Sequence, residues 1–171
     1  MRAALGTQQT MAELAETHRQ RRRIWLVGGG PGAVAAREAA LKIQETSYLQ
    51  AEGLSVEVLL HGPFLAAGPE DVFVLVAPAG PAQARVLELA GVARDLGAPY
   101  IVVSDGTPEA LREDPAGWCE VPAAPEPLAA VTCLLPLQLF AYRLALACGT
   151  NPDAFRLDDP RYAHARTRLR L

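Results

Sequence analysis

The chain has 171 residues, half of them apolar, a fifth charged and few aromatic, with a net charge of -3. That length gives about one domain, able to bury roughly two-thirds of the surface its unfolded chain exposes, and the composition excludes a disordered or collagen-like protein. The weakly acidic balance offers no electrostatic footprint for nucleic acid or an anionic membrane, so a small molecule or a protein is the expected partner.

Cys119, Cys133 and Cys148 are odd in number, widely spaced and outside any C-x-x-C or Cys/His cluster, which fits a reducing cytoplasm and offers no zinc or other metal site. Residues 1–16 lack an apolar run of signal-peptide length. The most apolar later stretch, Val131 to Cys148, is interrupted by Pro136, Gln138 and Arg143, so neither export nor a membrane span is expected. The chain carries a single lysine, Lys42, in a background in which every other basic Lys/Arg residue is arginine. A lysine kept in such a background is a candidate for a compact, titratable ammonium.

In chain order, Met11 to Arg23 is helix-compatible and ends in the basic group Arg19, Arg21, Arg22 and Arg23. This group reads as a solvated edge without function. Ile24 to Val27 reads as a strand buried on both faces that ends in the glycine turn Gly28-Gly29-Gly30, and Ala33 to Ala51 as a long helix. Val72 to Val76 and Tyr100 to Val103 repeat the buried-strand pattern, with a helix from Ala82 to Leu96 between them, stopped by Gly97. Trp118 to Val121 is a candidate last strand. Pro122 to Pro127 is a stiff connector, and Pro127 to Cys148 a last long helix closed by Gly149. The alternation predicts an α/β fold, a three-layer αβα sandwich around a mostly parallel sheet. The expected organisation is a helix and basic connector over 1–23, one domain over 24–150, and a polar, arginine-rich tail over 151–171 that wraps over this chain or a neighbour.

The run Gly28-Gly29-Gly30-Pro31-Gly32-Ala33 matches the G-x-G-x-x-A form of the dinucleotide fingerprint, with a strand before it and a helix after it. The fingerprint also needs an acid at the end of the next strand to hold the ribose hydroxyls. With Ser55 to Leu60 as that strand, the position falls to Leu60 or His61, neither of them a carboxylate. The dinucleotide reading is set aside and no cofactor is expected. Neither a Walker A sequence nor a G-x-S-x-G elbow is present.

On the long helix, Glu38, Lys42, Glu45, Leu49 and Glu52 follow a 4-3-4-3 spacing that places them along one stripe. Such a stripe is either a solvent face laced with ion pairs or a polar face of a site. The glycine turn at the helix start and the nearby His61-Gly62-Pro63 favour a site, because Lys, Glu and His are the groups needed to move a proton next to a carbonyl.

The segment Ala39-Ala40-Leu41-Lys42-Ile43-Gln44-Glu45-Thr46-Ser47-Tyr48, followed by Leu60-His61-Gly62-Pro63, resembles the sugar-isomerase (SIS) domain family. Within it, the match is to the second SIS subdomain of the glucosamine-6-phosphate synthases, the glutamine:fructose-6-phosphate aminotransferases. Val72-Phe73-Val74-Leu75-Val76-Ala77-Pro78, Leu135-Pro136-Leu137-Gln138-Leu139-Phe140-Ala141-Tyr142 and Gly149-Thr150-Asn151-Pro152-Asp153 extend the resemblance over about residues 20–165. It implies a flavodoxin-like SIS topology and a hexose or hexosamine 6-phosphate as ligand. It also implies Glu45 as the base that moves a proton between C1 and C2, Lys42 beside it, and His61 assisting ring opening, often in a neighbouring subunit. Gly28 and Gly30 are further candidates for substrate contact.

Two departures qualify the match. The family holds the phosphate in a Ser/Thr-rich loop of its first subdomain, and here the only serines are Ser47, Ser55 and Ser104. Ser104-Asp105-Gly106-Thr107 reads as a turn, since Asp105 would repel a phosphate. The family's tail lysine is also missing from Tyr162-Ala163-His164-Ala165-Arg166, where His164 is the candidate substitute, and no glutaminase activity is expected of this sequence. The expectation is an isomerase-type domain completed by a homodimer partner or a second SIS half. The alternative is a non-catalytic phosphosugar-binding module or a separated half of a two-SIS protein.

Overall fold

The computed structural model describes residues 6–106, 111 and 117–169. Helix α1 (Gln8–His18) leads into β1 (Arg23–Gly28), α2 (Pro31–Ser47), β2 (Gln50–Ser55), α3 (Val56–Leu60), a 3-10 turn (Pro63–Ala66) and β3 (Val72–Val76). Then come α4 (Gln83–Leu87), α5 (Leu89–Asp95), β4 (Tyr100–Ser104), β5 (Gly117–Glu120), α6 (Glu126–Ala147) and α7 (Pro160–Arg166). The five strands are all parallel in the order β2-β1-β3-β4-β5, the flavodoxin-like order expected of helices alternating across a sheet.

The residues of the central strands β1, β3 and β4 are buried on both faces because helices cover both, while the edge strands β2 and β5 are only partly buried. Ile24, Leu26, Val72, Val74, Val76, Ile101 and Val103 form one core with α1, α2 and α6. Trp25, Val27, Phe73, Leu75, Tyr100 and Val102 form the other with α3, α4 and α5. Each fully buried large apolar side chain stabilises the fold by about 1.5–3 kcal/mol.

Several element boundaries differ from expectation. The long helix stops at Ser47, because Tyr48 takes a left-handed conformation with φ 61°. The next residues therefore become an edge strand rather than more helix, and Glu52 leaves the helical stripe to lie 3.9 Å from Arg23. Val56 to Leu60 is a helix, not a strand: the Ser55 hydroxyl accepts the Val58 N–H as its cap, and Val56 and Leu59 are its buried residues. The expected helix over Ala82 to Leu96 is two short helices meeting at Glu88.

Close backbone approach explains why Gly53 is needed in β2, since a Cβ there would meet the Arg37 Cα at 2.3 Å. Helix α6 is long and apolar enough to cross a membrane by length and composition. In the fold it is a core helix, with Cys133, Leu137, Phe140, Ala141 and Leu144 buried. Its outer side exposes Leu128, Val131, Tyr142 and Leu146.

The basic run is stitched to its surroundings. Arg22 makes a two-pronged 3.0 Å contact with the buried Asp71 carboxylate, which also accepts the Trp25 indole N–H at 3.1 Å and the Gly68 amide at 3.1 Å. Arg21 donates to the Pro69 carbonyl at 3.0 Å.

Candidate functional site

In doubly wound sheets, ligands usually bind outside the carboxyl ends of the strands where the strand order reverses, here between β1 and β3. The chain's own polar groups occupy that place. Asp105 Oδ1 accepts the Ala79 amide at 2.6 Å. The Gln83 amide lies across the gap, 3.1 Å from the Ala77 carbonyl, 3.2 Å from the Ser104 hydroxyl and 3.0 Å from the Gly106 carbonyl. The recess left between Gly29, Pro31, Pro78 and Gln83 is about 10 Å³, room for about one water molecule. Thr107, the last residue of the expected turn, lies outside the described residues.

The glycine turn is built for close packing. A Cβ on Gly28 would meet the Gly32 carbonyl carbon at 2.3 Å, and one on Gly32 the Val76 carbonyl oxygen at 2.8 Å. The turn spends its amides internally, Gly32 on Gly29 at 2.9 Å and Ala33 on Gly30 at 3.1 Å. The residue ending β2 is Ser55, whose side chain caps α3, so no carboxylate stands where a dinucleotide ribose would need one.

The larger opening lies at the other end of α2. Gln44, Glu45, Tyr48, Leu49 and Gln50 form one wall of a cleft of about 600 Å³, and Phe155, Arg156, Tyr162 and Arg166 of the tail form the other. That volume lies in the range of small-molecule sites. The tail is held there from its root, where Gly149 (φ 72°) ends α6 in a left-handed turn and the Thr150 amide bonds the Ala145 carbonyl at 3.0 Å.

Lys42 and Glu45 meet as expected, with Nζ 2.8 Å from Glu45 Oε2 and 3.6 Å from Glu38 Oε1. The hydrogen bond to Glu45, helped by the Glu38 charge, raises the Lys42 pKa above the usual lysine value, so its ammonium remains charged at neutral pH. Thr46 and Ser47 return their hydroxyls to the helix at the Lys42 and Ile43 carbonyls, each at 2.7 Å.

His61 stands apart from this pair. It follows α3, whose buried residues belong to the opposite core from those of α2, and its Nδ1 lies 2.7 Å from the Glu57 carbonyl. Gly28 and Gly30 lie beside the filled recess, and Glu45 is fourteen residues beyond Pro31 on α2, about 21 Å along a helix. His164 is exposed on α7, and the α7 residues that line the cleft are Tyr162 and Arg166.

Sequence reasoning did not single out Arg156, Tyr162 or Arg166 as part of the cleft. They are distant in sequence from Glu45, and the signal available was only the aromatic and basic content of the tail. Among the described residues no group of three His, Cys, Asp or Glu side chains is placed to hold a metal ion. Burial pushes the thiol of Cys119 up to about 11 and that of Cys133 up to about 12, so neither is a ready nucleophile.

Fold and cleft together define a doubly wound α/β domain with a cleft of about 600 Å³ lined by Glu45, the carboxylate paired with Lys42. The SIS domain model matches residues 18–148, and the chain belongs to the SIS domain family. It is 35% identical over 150 residues to the glutamine–fructose-6-phosphate aminotransferase of Thermococcus kodakarensis, covering 88% of this chain and 25% of that protein. It is 33% identical over 154 residues to the corresponding protein of Streptomyces coelicolor, covering 87% and 25%. The chain thus spans about a quarter of the length of the curated relatives it matches.

Among solved structures, it superposes on the C-terminal domain of glucosamine-fructose-6-phosphate aminotransferase from Francisella tularensis. The TM-score is 0.77 at 26% identity, over 86% of this chain and 42% of that one. It shares the fold of tagatose-6-phosphate ketose/aldose isomerase from Escherichia coli, with a TM-score of 0.72 at 24% identity over 89% of this chain and 44% of that one. The chain is therefore a SIS domain related to the C-terminal domain of the aminotransferases.

Proposed function

We propose that the cleft beside Glu45 takes the open-chain form of a hexose or hexosamine 6-phosphate and that Glu45 carries a proton between C1 and C2. The observation that carries this reading is the 2.8 Å Lys42–Glu45 contact in which Glu45 also lines the cleft of about 600 Å³. A carboxylate suits a 1,2 shift, because it takes the proton from one carbon and returns it to the next without leaving hydrogen-bond distance. The fixed Lys42 charge offsets the negative charge that builds on the enediolate oxygen.

The separation of His61 from the pair on this chain supports an assembled site, in which His61 serves the cleft of a neighbouring subunit. The apolar side of α6, with Leu128, Val131, Tyr142 and Leu146 exposed, supports a homodimer or a second SIS half as the completing partner. The relatives' metabolic role supports a cytoplasmic setting.

A second reading, a non-catalytic phosphosugar-binding module or separated half, draws support from the filled recess at the strand ends, where Asp105 takes the Ala79 amide. Proton exchange separates the two. The enzyme exchanges the C2 proton of glucose 6-phosphate, or the C1 proton of fructose 6-phosphate, with deuterated solvent and loses this in Glu45→Gln. The binding module is stabilised thermally by the ligand without exchange.

A further inference from the structure

The cleft contains two arginines that proton transfer does not use. The Arg156 guanidinium lies between two aromatic rings, 3.8 Å from the Tyr162 centroid and 4.7 Å from the Tyr48 centroid. Stacking of this kind orients the guanidinium plane while leaving its in-plane N–H donors unspent.

Among the described residues neither Arg156 nor Arg166 forms an ion pair. Asp159, close enough to feel the Arg156 charge, is already held by Arg161 at 2.8 Å. The Tyr48 hydroxyl, on the same cleft, is buried and has no hydrogen-bond partner. Leaving such a group unmet costs about 1–3 kcal/mol, so it asks for an explanation.

The backbone points the same way. Phe155 and Arg156 are consecutive non-glycine residues with φ 47° and 58°, a conformation that costs of order 1–3 kcal/mol per residue and tends to persist where function needs it. The place at the strand ends where an anion would otherwise sit is occupied by the Asp105 carboxylate.

We infer that Arg156, with Arg166 on the same wall, is the anion subsite of the cleft and receives the phosphate monoester of the sugar. A planar guanidinium with free donors matches phosphate oxygens in two-pronged fashion, the strongest class of charge-assisted hydrogen bond. The inference rests on the reading of this cleft as a sugar-phosphate site. Inorganic phosphate shares the chemistry, so the test separates the two.

The full chain is titrated calorimetrically at constant ionic strength with inorganic phosphate, fructose 6-phosphate and fructose, as wild type and as Arg156→Gln, Arg156→Lys and Arg166→Gln. Arg156→Gln is expected to weaken fructose 6-phosphate at least about ten-fold and Arg166→Gln less, with Arg156→Lys between wild type and Arg156→Gln, because lysine keeps the charge but not the fork. Unchanged affinity in Arg156→Gln overturns the inference while leaving the sugar-phosphate reading intact. Inorganic phosphate that needs Arg156, with fructose 6-phosphate binding no tighter, keeps the subsite and rejects the sugar.

Failure of the wild type to bind either anion at about 10 mM overturns the inference, since even weak specific sites register there. Should Arg156→Gln fail to fold, amide shifts of the wild type under phosphate decide. Movement centred on Tyr48, Arg156 and Tyr162 supports the subsite, and its absence there overturns it.

Discussion

The Thr150 hydroxyl lies 2.7 Å from the Thr46 carbonyl oxygen, joining the root of the tail to the residue that follows Glu45. The same hydroxyl is 2.9 Å from the Ala145 carbonyl, and its single hydrogen serves one acceptor at a time. The tail wall of the cleft thus hangs on a side-chain bond to the helix that forms the other wall. Thr150→Val keeps the shape and removes the donor. It is expected to cost about 0.5–1.5 kcal/mol and to raise amide exchange over residues 151–166 while that of the sheet changes little. Tail protection equal to wild type would show that the aromatic contacts of Arg156 hold the tail without it.

Lys42 and Glu45 are each about one-third exposed, at 35% and 29% for their side chains. Water therefore screens their attraction, and an exposed helical pair contributes only about 0.3–0.5 kcal/mol. Lys42→Met is accordingly expected to leave the urea midpoint nearly unchanged. If the cleft performs proton transfer, the same variant lowers the exchange rate by about a hundred-fold, the usual effect of removing one stabilising group from a developing oxyanion. A large loss of stability with little change in exchange would assign the pair to the fold instead.

His18 is buried and its Nδ1 has no partner. Burial, and secondarily the Arg21 charge, lowers its pKa to about 4, against about 6.5 in an unfolded chain. Between those values the unfolded chain binds a proton that the folded chain refuses. The contribution is therefore fully present above about pH 6.5 and is lost as the pH falls toward about 4, amounting to about 3 kcal/mol. Urea unfolding at pH 7.5 and 4.5 should show this loss in wild type and a much smaller one in His18→Leu. Equal losses in both would mean that His18 is solvated in the fold.

β1, β3 and β4 were legible because burial on both faces leaves a continuous apolar run, and Val72–Val76 was read to the residue, whereas the half-exposed edge strand Gln50–Ser55 has no such run and was not. The end of α2 was not. A glycine would have announced the left-handed stop, but Tyr48 takes that conformation, held by contacts beyond the local sequence. Val56–Leu60 was ambiguous for another reason: five apolar-rich residues fit either period, and the Ser55 cap decides for helix. Lys42 and Glu45 were legible as a pair from their spacing alone. That the second wall of their cleft comes from Phe155, Arg156 and Tyr162 depends on long-range packing of a polar tail, which carries no periodic signal. The Gly28-Gly29-Gly30 turn is ambiguous for the opposite reason, since the same glycines serve close helix–strand packing, as Gly28 does against Gly32, as readily as ligand approach.

The Asp71 carboxylate makes a last test of how the sheet is anchored. Burial alone would raise its pKa, but the bonds from Arg22, Trp25 and the Gly68 amide more than offset this and hold it below the usual aspartate value. Its stabilising effect is therefore present above an unfolded pKa of about 3.9 and is lost as the pH falls through the lower folded value. Asp71→Asn keeps the size and one acceptor but gives up the charge and half of the Arg22 fork, and is expected to cost about 1–3 kcal/mol at neutral pH. The gap between wild type and Asp71→Asn should then narrow below pH 4, as protonation brings the wild-type side chain to the same neutral state. A gap that stays constant into strong acid would mean that the carboxylate's shape, and not its charge, ties β1 to the loop before β3.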